Sequence, residues 1–170
     1  MATELRSSDI SDAGFLAAAA YGSSVQTVLA GSSWNPVDPT AFGINSLLVG
    51  PGLFYSVHVP GLIDAQAMLA YNSSTHTLAI SFRGTDGITD LYNDLVLATL
   101  NSGIIYTTAL FDLLVRNVLA GASAFGATRI LVTGHSLGGA MAEEVMARYP
   151  DTPISRYKAG WGYIWFSGNQ

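Results

Sequence analysis

The period of the hydrophobic positions changes several times along the chain, and each change marks a predicted element. Residues 15–20 are an apolar, alanine-rich run preceded by Ser8, Asp9, Ser11 and Asp12, which predicts a polar cap and a helix running to Gly22. Residues 31–61 hold four of the six prolines (Pro36, Pro39, Pro51 and Pro60), which predicts loops with one weak strand at 54–59. Residues 65–71 and 77–82 are strand-like runs, and the polar joint Asn72-Ser73-Ser74-Thr75-His76 between them suits a hairpin. Apolar spacing over 104–119 is helical, with 121–126 as its exit. Residues 128–133 read as a short β-branched strand, 137–149 as a helix stopped by Pro150, and 163–166 as a buried strand. Strand, helix, strand, helix, strand in that order implies parallel pairing and an α/β sheet. No repeat or linker interrupts the pattern, so residues 1–170 read as a single domain.

Composition narrows the function classes. The 170 residues are 49% hydrophobic and 11% charged, which is enough for one core and excludes a polar, disordered chain. Twelve acids against seven bases leave a formal charge of −5. The bases Arg6, Arg83, Arg116, Arg129, Arg148, Arg156 and Lys158 are scattered, so no surface for nucleic acid is read. With no cysteine there is neither a disulfide frame nor a thiolate metal site. The most lipid-like stretch, 95–122, is interrupted by Asn101, Asp112, Arg116 and Asn117, and reads as a buried or interfacial helix instead of a transmembrane segment. Residues 1–11 carry Glu4, Arg6 and Asp9 and no apolar run before a small-residue cleavage site, so no secretory leader is read there.

The candidate chemistry centres on Gly134-His135-Ser136-Leu137-Gly138-Gly139. A Gly-x-Ser-x-Gly pattern after a strand and before a helix is the context of a nucleophile elbow. The chain must reverse within a few residues, and glycines two before and two after the serine leave room where β-carbons would collide. The serine hydroxyl is then held at the edge of the sheet, with the N–H of Leu137 aimed at a developing oxyanion from the positive end of the following helix. The bland alternative is a glycine-rich turn that Ser136 merely caps. A second donor is expected from an earlier strand-to-helix loop, and Ile80-Ser81-Phe82-Arg83-Gly84-Thr85 is such a loop, Thr85 offering a backbone N–H and a hydroxyl. Here too the bland reading is that Arg83 and Thr85 cap a helix.

Phe82-Arg83-Gly84-Thr85, then Asp90 and Asp94-Leu95, then Gly134 to Gly139, resemble in that order the class 3 (fungal-type) lipase family of the α/β-hydrolase superfamily. The hairpin at 67–82 also lies where that family has one, and the resemblance covers residues 65–148. It implies an α/β-hydrolase-like, mostly parallel sheet. It implies Ser136 as the nucleophile, Thr85 and Leu137 as the oxyanion pair, and Gly134, His135 and Gly138 as the frame of the elbow, His135 not being the base. The activity implied is that of a serine ester hydrolase acting on lipid esters at an interface, without metal or organic cofactor, in an extracellular enzyme. Residues 86–94 fall where such lipases carry a lid helix.

Two features depart from the family. Asn101-Ser102-Gly103-Ile104 stands where a His-x-Gly-Phe-like stretch is usual. After Ser136 there is no histidine, and the acids Glu143, Glu144 and Asp151 precede the position of a triad acid, so the triad Asp and His are not in this chain. The chain therefore reads as the N-terminal portion of a lipase-like domain, its C-terminal strands and helices lying beyond Gln170. By itself it is expected to turn esters over poorly, because a serine without a hydrogen-bonded base is a weak nucleophile. His58 and His76 read as loop residues. Asp86, Asp90 and Asp94 share one helical face, either solvated or a weak calcium site without the loop geometry of a dedicated one. Trp161, Tyr163, Trp165 and Phe166 read as a buried strand or as an interface. The alternative from another class is a non-catalytic lipase-like domain that keeps the elbow for architecture and binds an apolar ligand or a partner chain.

Overall fold

The computed structural model of the chain describes residues 7–58, 65–84, 102–149 and 154–155. The expected strand at 163–166 and the acidic segment 86–94 lie outside these residues. Helix α1 (Ser7–Ala19) and the short α2 (Val25–Leu29) come first. Strands β1 (Asn35–Val37), β2 (Tyr55–Val57), β3 (Ala65–Asn72) and β4 (Thr77–Phe82) follow. The long helix α3 (Ser102–Phe125), strand β5 (Arg129–Gly134), helix α4 (Leu137–Arg148) and strand β6 (Ile154–Ser155) complete the order.

The sheet is mixed. Its path runs β1-β3-β4-β5-β6, with β2 also on the free side of β3. β4, β5 and β6 are parallel, as the strand–helix–strand order requires. The hairpin β3–β4 and the two short strands on β3 supply an antiparallel half. β1 and β2 emerge from the proline-rich region, where loops and only a weak strand were expected. Pro36 is compatible with β1 because an edge strand leaves the missing N–H unneeded. Three short 3₁₀ turns lie between β1 and β2, two of them opened by side-chain N-caps, Asp38 Oδ1 accepting from the Thr40 N–H at 2.8 Å and Asn45 Oδ1 from that of Leu47 at 2.9 Å.

Two apolar layers cover the sheet, and strand alternation decides which residue joins which. Leu69, Leu78, Ile80, Phe82, Ile130 and Val132 meet Phe111, Leu114, Val115 and Val118 of α3 and Met141, Ala142 and Val145 of α4. On the other face Met68, Ala70, Ala79 and Leu131 meet Ala13, Leu16 and Ala19 of α1, with Val25, Leu29, Trp34 and Phe54. β4 and β5 are buried on both faces, which is why they read as continuous apolar runs.

The start of α1 corrects one expectation. Ser8, Asp9, Ser11 and Asp12 do not cap the helix; they lie within it. Asp9 is buried and forms a bidentate pair with Arg129 of β5, at 2.8 and 3.2 Å. Two buried hydroxyls dock the same helix, Ser81 Oγ donating to the Leu16 carbonyl at 2.9 Å and Thr133 Oγ1 to that of Ala13 at 3.0 Å. The exit of α3 is a second correction. The helix runs through the expected stop to Phe125, and Gly126, at φ +97°, follows it. Gly121 is a contact point within the helix, since a β-carbon there would lie 2.8 Å from Cδ1 of Phe42.

Candidate active site

β4 and β5 end together, with Phe82 in register with Gly134, and the chain turns sharply just after β5. Ser136 occupies the bend between β5 and α4 at φ 55° and ψ −124°. A positive φ on a non-glycine residue stores strain of order 1–3 kcal/mol and has to be enforced by its surroundings. The enforcement is visible in the flanking glycines. A β-carbon on Gly134 would strike the backbone of Gly138, and one on Gly138 would strike the carbonyl oxygen of Phe82. Both clashes are with backbone, so neither can be relieved by a side-chain rotation.

The bland reading of Ser136 as a cap does not fit this geometry. Its side chain makes no capping bond to α4. The first turn is closed by the backbone alone, Gly138 N–H donating to the His135 carbonyl and Gly139 N–H to that of Ser136, both at 2.9 Å. Among the described residues no acceptor takes the N–H of Leu137, which stands at the N-terminus of α4 where helix donors have no partner within the helix. Ser136 is half-buried, and no described residue hydrogen-bonds its Oγ.

The loop after β4 reaches this bend. A β-carbon on Gly84 would strike the His135 carbonyl and the Tyr21 hydroxyl, and would lie 3.2 Å from Cβ of Ser136. Thr85, the next residue, lies outside the described residues, as do Asp86, Asp90, Asp94, Asp151, Trp161, Tyr163, Trp165 and Phe166. His135 faces Tyr21, whose hydroxyl is 3.0 Å from Nδ1. The rings meet edge-on, 5.6 Å between centroids. The Arg83 guanidinium sits over the Tyr21 ring at 5.7 Å and donates from Nη1 to Gln66 Oε1 of β3 at 2.8 Å. Tyr21 and Gln66 were not read from the sequence as site residues. Tyr21 is 114 residues from its partner, and nothing in its local pattern marks it.

The remaining candidates are not brought to Ser136. His76 sits in the hairpin turn before β4, the full length of that strand from the elbow, about 17 Å at 3.3 Å per residue. There its Nδ1 is 3.1 Å from the Tyr71 hydroxyl. His58 follows β2, three strand spacings from β5, or about 14 Å. Glu144 pairs with Arg148 on α4 at 2.9 Å, and Glu143 is exposed on the same helix. Among the described residues no three His, Cys, Asp or Glu side chains stand together as a metal site. No helix among them is long and apolar enough to cross a membrane.

No protein-family model matches the chain, and no curated protein matches it in sequence. Solved structures do. The chain is similar to the Rhizomucor miehei lipase of a propeptide complex, with a TM-score of 0.53 and 21% identity over 94% of this chain and 56% of that one. It is similar to the Lip2 lipase of Yarrowia lipolytica, with a TM-score of 0.57 and 16% identity over 89% and 58% of the two chains. A third likeness is to Rhizomucor miehei triacylglyceride lipase, with a TM-score of 0.55 and 18% identity over 92% and 62%. At such identities the likeness concerns the fold, which is α/β-hydrolase-like and similar to that of fungal class 3 lipases. The chain spans somewhat over half the length of these neighbours.

Proposed function

We propose that this chain carries the nucleophile and oxyanion side of a serine ester hydrolase acting on lipid esters. The observation that carries the reading is the conformation of Ser136, a strained serine whose side chain makes no capping bond, beside a helix N-terminal N–H that no described residue accepts. Ser136 Oγ attacks the acyl carbonyl carbon, and its proton passes to a general base. The oxygen that becomes negative accepts hydrogen bonds from the Leu137 N–H and from Thr85, whose neighbour Gly84 packs against the elbow. The alcohol departs with a proton, and water then attacks the acyl-serine, releasing the acid and restoring the hydroxyl. No metal or organic cofactor takes part in these steps. The fold likeness to lipases supports ester chemistry, and the lipid substrate is extended from those neighbours to this chain.

A fluorophosphonate probe tests the reading. The full-length protein is expected to be labelled at Ser136, located by peptide mass spectrometry, and Ser136→Ala is expected to abolish the label. A folded protein that stays unlabelled would overturn the enzyme and favour a domain that binds an apolar ligand.

A further inference from the structure

We propose that Tyr21 is a positioning residue for this site, clamping the chain after β4 at Gly84 to the bend at His135 and Ser136. The proposal rests on the ester-hydrolase reading above.

The two donors, Thr85 and the Leu137 N–H, come from different strands, and one oxygen must satisfy both. Ladder hydrogen bonding between β4 and β5 ends at the pair Phe82 and Gly134. Beyond it the Arg83 N–H still bonds Gln66 of β3 at 2.9 Å while the chain after Gly134 turns into α4, so a contact outside the ladder holds the two segments together. Tyr21, in the turn after α1, stands at that point. Its hydroxyl lies 3.0 Å from His135 Nδ1 and 3.5 Å from the His135 carbonyl, on the elbow side. On the other side it lies against Gly84, where a β-carbon would collide with it. Arg83 covers the ring and is itself held by Gln66 of β3, so the phenol is fixed from both loops.

The clamp works with either imidazole tautomer. The phenol donates to a bare Nδ1, or accepts from Nδ1–H and turns its own proton toward the His135 carbonyl. A phenylalanine would fill the same volume and retain the ring under Arg83 but could make neither bond. The predicted loss is therefore in transition-state stabilisation and not in packing.

The test compares phosphonylation of Ser136 by a fluorophosphonate, in which Oγ–P forms and fluoride leaves, across variants of the full-length protein. Tyr21→Phe is expected to lower the maximal labelling rate about tenfold, with the probe's binding constant unchanged and the melting temperature lowered by no more than about 4 °C. His135→Leu is expected to match it. His135→Asn, whose amide takes the place of Nδ1, is expected to restore labelling to within about threefold of the wild type, and to restore nothing when combined with Tyr21→Phe. Three results would each overturn the clamp: a Tyr21→Phe rate equal to wild type, a His135→Asn rate as low as His135→Leu, or a rate that falls only in step with the melting temperature. If the wild type itself is not labelled, the hydrolase reading is lost and the clamp with it. If the wild type is labelled and Tyr21→Phe equals it, only the clamp is lost.

Discussion

The carbonyl oxygen of Phe82 occupies the place that a β-carbon on Gly138 would need. The end of β4 therefore presses directly on the first turn of α4, and this contact holds the elbow tight. The same crowding explains why Gly134 and Gly138 flank Ser136, whose own φ of 55° is tolerated only because the chain is clamped on both sides.

Gly138→Ala and Gly134→Ala should each cost about 3 kcal/mol or more, since the clash is with backbone and cannot be relieved by a rotamer change. Gly14→Ala is the control. It lies in α1 with open space around it, and should stabilise the protein by about 0.5–1 kcal/mol through helix propensity. Urea unfolding of the three variants separates them, and equal effects would mean that the crowding at the elbow carries no energetic weight.

Asp9 and Arg129 form a buried pair with side chains 10% and 9% exposed. Replacing either partner alone, as in Asp9→Ala or Arg129→Met, should destabilise by about 3–5 kcal/mol because a buried bidentate ion pair is broken. The double variant Asp9→Leu with Arg129→Met should cost less than either single change, which chemical denaturation of the four proteins in the cycle will show.

Tyr55 is fully buried and its hydroxyl donates to the Leu110 carbonyl of α3 at 2.7 Å. Burial raises its pKa above the ordinary 10.0. The folded state thus favours the protonated phenol, so this contribution is fully present below pH 10 and is lost as pH rises through the raised folded value. Tyr55→Phe should cost about 1 kcal/mol at pH 7 and should flatten the alkaline fall in stability measured by urea titration between about pH 9 and 12.

Ser81 and Thr133 donate from the sheet to backbone carbonyls of α1. Ser81→Ala and Thr133→Val should each cost about 1 kcal/mol and accelerate amide exchange in α1 more than in α3. Uniform acceleration in both helices would contradict a local docking role.

The hairpin was legible because its alternation is local and Asn72 closes the turn itself, its Oδ1 accepting from Ser74 and Thr75. The tight turn between β5 and α4 was legible for a related reason. Strand, Gly-x-Ser-x-Gly and helix are contiguous, and the steric demand of one tight reversal is written within a few residues. The antiparallel edge was less legible, because Pro36 is acceptable in β1 only at a sheet margin, and a margin is a property of the assembled sheet. Asp9 looked like a cap until Arg129 of β5 was brought beside it. Gly121 looked like a helix stop until Phe42 was seen to need the space.

The order of residues by itself determined where the chain can bend, which runs can be buried and which hydroxyl stands at the reversal, since these depend on neighbours a few positions apart. Tertiary structure alone decided that Tyr21, Arg83 and His135 share one cluster and that the loop of Gly84 lies on Ser136. Those contacts join segments more than a hundred residues apart in the case of Tyr21 and His135. They form only when α1 docks on β5 and the parallel pair β4–β5 brings its two ends level.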